Sequence, residues 1–238
     1  VESTPPALSS LTVDAGGTLT LYGWDTLVQA ETITVKAGGT IRTEGFILDG
    51  GVSNRVHLAG TTLTVEDGGR ITADGAGYEG LAGPSWATAT WGCHGERTGT
   101  SYYGGAYGGK QGYFGNGSKS EQSKQDMEPK PYGSAEWPFD PGSGGGCCAR
   151  SGGGAIYLEF TGAVTVDGAI TANASDTYKS SGNWYGVNAS YGSGGGGRIA
   201  LWSYKWMDET LKANCSAAGG AHGTTAYAVE PEAGTVYF

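Results

Sequence analysis

Short bursts of apolar and polar residues alternate along the first third of the chain. Leu11-Thr-Val13, Leu19-Thr-Leu21, Ile33-Thr-Val35, Leu63-Thr-Val65 and Ile71-Thr-Ala73 each place large apolar side chains two residues apart. A period of two is the signature of a strand with one face buried. Between successive bursts stand Asp14-Ala-Gly-Gly17, Lys36-Ala-Gly-Gly39 and Glu66-Asp-Gly-Gly69, and a Gly-Gly pair supplies the positive φ of a sharp corner. The strand–corner–strand unit Leu11–Leu21 therefore recurs as Ile33–Thr43 and Leu63–Ala73, with a shortened copy at Val164–Ala172. Measured at Val13, Val35, Val65 and Val166, the offsets are 22, 30 and 101 residues.

A second recurrence is Gly152-Gly-Gly-Ala-Ile-Tyr-Leu158 with Gly195-Gly-Gly-Arg-Ile-Ala-Leu201 and Ala233-Gly-Thr-Val-Tyr-Phe238. A third is Ile71-Thr-Ala-Asp74, Ile170-Thr-Ala-Asn173 and Leu211-Lys-Ala-Asn214. A repeat of about 20 to 30 residues carrying two or three short strands predicts stacked copies with loops inserted at the corners, a β-solenoid. The expected fold is all-β, a single-stranded parallel β-helix forming one domain over 1–238, with residues 75–151 as a large inserted flap. Over 9–74 and 152–238 the pattern resembles the glycine-rich right-handed parallel β-helix repeats of large extracellular, adhesin-like proteins, within the pectate-lyase-like superfold. That resemblance implies architecture and handedness, the latter in line with the general rule for parallel crossovers. It implies little about activity, since such folds serve enzymes, adhesins and spacers alike.

Composition narrows the classes. Gly is 46 of 238 residues without a strict triplet period, which excludes collagen. No run of 18 apolar residues occurs, so no membrane-spanning helix is expected. The net charge of −9 offers no basic stripe for nucleic acid. Four of the six Asn residues, Asn116, Asn173, Asn188 and Asn214, lie in N-x-S sequons, where the Ser and Thr content alone would give about one. This points to a secreted, N-glycosylated chain, exposed at those loops. The four cysteines Cys93, Cys147, Cys148 and Cys215 allow three pairings. Adjacent Cys147 and Cys148 are poorly placed to bond each other, which favours Cys93 with one of them and Cys215 with the other. Their spacing matches no zinc site.

The flap concentrates aromatic residues, among them Trp86, Trp91, Tyr102, Tyr103, Tyr107 and Trp137. A segment of this length is either functional or tied down. Its aromatics would cover the side of the helix, stack on pyranose rings or meet another protein. Catalytic motifs are missing. His94, Arg97, Asp126 and Asp140, with Glu128 and Arg150, are the flap's titratable candidates, but the three histidines His57, His94 and His222 are far apart in sequence and no known nucleophile, zinc or phosphate motif appears. Clustered acids allow Ca2+, yet no EF-hand or RTX-type spacing is present. The expectation is an extracellular structural or adhesive protein that stacks end to end with copies of itself. The alternative is a carbohydrate-active enzyme or sugar-binding module that uses the flap.

Overall fold

The computed structural model describes residues 1–45, 54–78, 101–103, 113–115, 134, 137, 140–142, 144, 151–175, 194–205, 209–220 and 233–238. The fold is nearly all-β, with parallel sheets and almost no helix. One sheet is built in the order β1 (Leu8–Val13), β3 (Val28–Val35), β5 (Arg55–Val65), β9 (Ala155–Phe160), β12 (Arg198–Ser203) and β14 (Thr235–Tyr237), with β10 (Val164–Val166) also paired to β5. The other runs β2 (Thr18–Leu21), β4 (Thr40–Thr43), β6 (Arg70–Thr72), β11 (Ala169–Thr171) and β13 (Cys215–Ser216). Within the flap, β7 (Ser101–Tyr103) and β8 (Tyr113–Gly115) form an antiparallel pair. The one helix among the described residues, α1, is Glu209–Ala213; it is far too short to cross a membrane.

The sequence repeats set the register. Val13, Val35, Val65 and Val166 lie side by side, as do Leu11, Ile33, Leu63 and Val164. In the second sheet Leu19, Ile41, Ile71, Ile170 and Cys215 form one column. A one-residue slip would turn every one of these side chains to the opposite face, so the apolar alternation enforces the alignment. These columns meet in one core cluster that draws on both sheets. Outside it, Ser10–Thr32–Thr62 and Thr12–Thr34–Thr64–Thr165 form in-register hydroxyl columns.

The Gly-Gly corners stack as closely as the strands. Gly16 and Gly38 donate from their amides to the carbonyls of Gly38 and Gly68, each at 3.0 Å, and all three hold φ between 74° and 80°. The second glycine of each pair answers a different need. A Cβ on Gly39 would lie 2.5 Å from the Val13 carbonyl oxygen, an overlap with backbone that no rotamer relieves. The shortened copy reaches the same register with two residues fewer, and Gly168 rests against Gly69.

Three points differ from the sequence reading. First, the two main recurrences share one long strand: β5 pairs with β9 through Arg55–Gly60 and with β10 through Leu63–Val65. Arg55-Val-His-Leu58 is thus an earlier copy of the Ala155-Ile-Tyr-Leu158 motif. Second, Leu211–Asn214 is not the third copy of Ile170–Asn173. Residues 209–213 are helical and the register partner of Ile170 is Cys215. The apolar burial is kept by Leu211, 2% exposed, while the Asn214 side chain donates to the Val166 carbonyl at 2.7 Å, satisfying the edge of β10 in place of a strand. Third, Cys215 stands as a free thiol, while Cys147 and Cys148, one of which the sequence reading pairs with it, lie outside the described residues. Its place atop the Ile71–Ile170 column makes it a small apolar core residue.

Candidate functional site

The outer face of the first sheet carries the chain's densest chemistry among the described residues. Alternation sends Val28, Leu58, Leu158 and Leu201 inward, and their neighbours Gln29, Ala59, Glu159 and Trp202 form an outward column. A parallel column holds His57, Tyr157, Ala200 and Tyr237. Ala30, Ala59 and Gly60 are small residues between larger ones. A Cβ on Gly60 would collide with the Ala30 carbonyl oxygen, so nothing bulkier fits there. The result is a cleft of about 860 Å³, bordered by Gln29, Glu31, Glu159, Tyr157, Trp137 and Trp202. It extends from Leu8 on β1 to Ser203 on β12, crossing five adjacent strands, or roughly 19 Å at the usual strand spacing.

Aromatic rings form one wall. The Trp137 ring centroid lies 5.4 Å from Trp202 and 6.0 Å from Tyr157, and Trp202 lies 5.3 Å from Tyr237. The planes are tilted by 34° to 49°, within the range that aromatic pairs prefer. Trp137 is 43% exposed, so one face of this strip remains open to solvent.

Polar groups form a chain at the same place. Arg55 donates from Nε to the Trp24 carbonyl at 2.6 Å, and its guanidinium sits 4.9 Å from the centre of the Trp24 ring. An Arg55 Nη2 lies 3.3 Å from His57 Nδ1, and His57 Nε2 lies 2.9 Å from Glu159 Oε2. Guanidinium has no acceptor, so Nδ1 of His57 accepts and Nε2–H donates to Glu159. The imidazole is thereby fixed in its neutral Nε2–H form. Burial pushes its pKa below the ordinary histidine range and Arg55 adds to this, against the opposing pull of Glu159. Tyr157 donates its hydroxyl to Glu159 Oε1 at 3.1 Å. Burial and the Glu159 charge push that phenol up to about 12.

This arrangement fixes a sign for pH dependence. The folded chain takes up the His57 proton less readily than the unfolded chain, whose histidine titrates near about 6.5. The stability it contributes is whole above that value and is lost as pH falls toward the folded value. Urea midpoints are expected to decrease between pH about 7 and about 5.5, and His57→Gln, which keeps a donor toward Glu159, is expected to flatten that decrease. An unchanged slope in the variant would contradict the assignment.

Of the residues expected from sequence, Trp137 stands in the cleft. Asp140 is half-buried and does not line it. Tyr102 and Tyr103 belong to β7. Trp86, Trp91, Tyr107, His94, Arg97, Asp126, Glu128, Arg150, Cys93, Cys147, Cys148, Asn116 and Asn188 lie outside the described residues. Asn173 and Asn214 both serve the fold. Asn173 Oδ1 accepts from the Ser216 hydroxyl and the Ala218 amide, each at 2.7 Å. The Nδ2 of Asn214 is the atom a glycan would take, and it is already bonded to Val166. Among the described residues, no group of three His, Cys, Asp or Glu side chains could hold a metal ion.

Cys215 is chemically quiet. Burial pushes its thiol up to about 12, so the nucleophilic thiolate is scarce at neutral pH. Iodoacetamide at pH about 8 is expected to leave Cys215 unmodified in the folded chain and to label it in urea, as read by peptide mass spectrometry.

Sequence reasoning missed Arg55, His57, Tyr157, Glu159 and Trp202. A signal was present: in Ala155-Ile-Tyr-Leu-Glu-Phe160 and Arg198-Ile-Ala-Leu-Trp-Ser203 the residues alternating with the inward Ile and Leu include Tyr157, Glu159 and Trp202. Read as outward positions of aligned strands, they name the cleft. No family model, no curated protein and no solved structure matches this chain.

Proposed function

We propose that the chain is an extracellular parallel β-helix that binds a linear saccharide along its outer face. The observation that carries this reading is the cleft itself. It is elongated along the direction in which strands stack, walled by Trp137, Tyr157 and Trp202, and edged by Glu159, Glu31 and Gln29. Pyranose rings present a face of C–H groups to aromatic rings and a rim of hydroxyls to carboxylates and amides, and this wall and edge supply both. The roughly 19 Å length accommodates about three to four linked rings at the strand spacing. Pockets of this kind combine apolar surface with a few orienting polar groups. The parallel ladders, stacked Gly-Gly corners and recurring motifs support the β-helix, and the resemblance to glycine-rich adhesin-like repeats supports a place outside the cell.

Titration of the purified protein with linear oligosaccharides of increasing length, up to the hexamer, tests the reading. Tryptophan fluorescence is expected to change saturably with chain length up to about four rings, the span the strand spacing gives, and a flat response to every hexamer would refute it.

End-to-end assembly is a second reading, favoured by edges. Among the described residues β1 pairs only with β3, and β14 only with β12, so each presents a row of backbone groups to a further strand. The neighbouring edge of β2 is partly covered, since the Val1 nitrogen donates to the Thr20 carbonyl at 2.7 Å and the Tyr22 amide donates to the Val1 carbonyl at 2.8 Å. Electron microscopy showing filaments, or only single particles, decides this reading.

A further inference from the structure

We infer that the preferred ligand of the cleft is a cationic saccharide, a chain of amino sugars with protonated amines, held by Glu159 and Glu31 beside the aromatic wall. The inference rests on the saccharide reading above and specifies its ligand class. It starts from the charges that border the cleft. Glu31 and Glu159 are acidic, and among the described residues no Lys, Arg or His side chain lines it. The Glu159 side chain is 44% exposed. Its contacts within the protein, His57 Nε2–H and the Tyr157 hydroxyl, are neutral donors in the form the Arg55 contact dictates. They orient the carboxylate without cancelling its charge. The Arg55 cation is held one side chain further back, over Trp24 and against the Trp24 carbonyl.

A uronic acid polymer would bring carboxylates against these carboxylates, and like charges placed together in an interface are repelled. A neutral chain would gain the stacking alone. A chain of protonated amines would gain the stacking, charge-assisted hydrogen bonds to Glu159 and Glu31, and attraction between its cations and the electron-rich faces of Trp137 and Trp202. The chain-wide net charge of −9 steers a cationic polymer in the same direction.

The experiment compares four probes at pH about 6, where a sugar amine of ordinary pKa is charged: three β-linked chains, a glucosamine hexamer, its fully N-acetylated form and cellohexaose, and an α-linked galacturonate hexamer. Calorimetry in low salt is expected to show the glucosamine hexamer binding about tenfold more tightly than the acetylated form, the equivalent of one good charge-assisted contact. Salt of about 0.5 M is expected to shrink that ratio, because a half-exposed pair is screened. Glu159→Gln keeps the side-chain size and is expected to bring the ratio to about two, a loss within the range for one such contact, with Glu31→Gln acting in the same direction. Circular dichroism on both variants establishes that they are folded.

Equal binding of the amine and acetylated hexamers, or tightest binding of galacturonate, overturns the charge inference. If that equal binding is lost in Trp202→Ala, the saccharide reading survives it. Absence of binding by all four probes overturns both.

Discussion

Ile71→Ala is expected to lower the free energy of unfolding by about 2 to 5 kcal/mol, the range for deleting a large aliphatic side chain inside a packed core. Ile71 is fully buried. It stands at the middle of the column Leu19–Ile41–Ile71–Ile170–Cys215, with Ile41 on one side and Ile170 on the other. The column is rigid because each member belongs to a strand hydrogen-bonded to its neighbours, and the Gly-Gly corners that lead into β2, β4 and β6 are bonded one to the next. The space left by three carbons cannot close by moving one strand without breaking ladders on both sides, so the cavity persists and the cost lies toward the upper end. Against a usual total of about 5 to 15 kcal/mol, such a loss is large. Urea unfolding followed by circular dichroism measures it, with Leu8→Ala as the contrast. Leu8 is 39% exposed and the same chemistry there is expected to cost under about 1 kcal/mol. Equal effects at the two sites would mean that the columns do not carry the core.

Trp202→Ala carries the second large effect, on binding. Trp202 follows Glu159 in the outward column and touches the rings of both Trp137 and Tyr237. Removing it deletes one stacking surface and takes from Trp137 its 5.4 Å ring contact, with Tyr157 remaining at 6.0 Å. A loss of about 10- to 100-fold in saccharide affinity is expected, in keeping with the share that a central aromatic residue takes in a binding site. The melting temperature is expected to change little, because Trp202 is only half-buried and points away from the core. Trp202→Phe restores an aromatic face and is expected to recover part of the loss. Retention of full affinity by Trp202→Ala would move the ligand off this wall. A collapse of the melting temperature would show that the aromatic strip supports the sheet.

The strand register was readable from sequence for a physical reason. Copies joined by corners of one length repeat the same strand-to-strand step, so Val13, Val35 and Val65 align once the Gly-Gly pairs are aligned. Where a corner is replaced by other geometry the reading fails. Leu211-Lys-Ala-Asn214 has the spacing of its supposed copies, but an apolar residue every few positions fits a single helical turn as well as a short strand. The copy at Val56-His-Leu58 was hidden because Val52-Ser-Asn54 stands directly before Arg55, where the other copies have glycine. That omission concealed the site. His57 and Glu159 are 102 residues apart, and only the pairing of β5 with β9 brings their columns together. Trp137 was found by composition alone, since an aromatic-rich flap is visible without knowing what it touches. Arg55 and Tyr157 could be recognised only after the register had placed them beside His57.

The flap leaves the sheet after Tyr78 and returns before Gly152, and those two residues are already bonded to each other: the Gly152 amide donates to the Tyr78 carbonyl at 2.9 Å, and the Gly77 amide to the Gly152 carbonyl at 2.8 Å. Its two roots are therefore a closed doorway, with β5 and β9 in register on the inner side and Gly142 of the flap bonded to both roots, at Tyr78 and Gly153. Each halving of a loop's length lowers the cost of closing it by only about 0.6 kcal/mol. Segments of widely different length can thus occupy this position at nearly equal cost to the fold. The same doorway turns the flap into an exchangeable cassette: because it delivers Trp137 to the cleft, a lineage or an engineer can change the wall of the cleft while the strands behind it stay as they are.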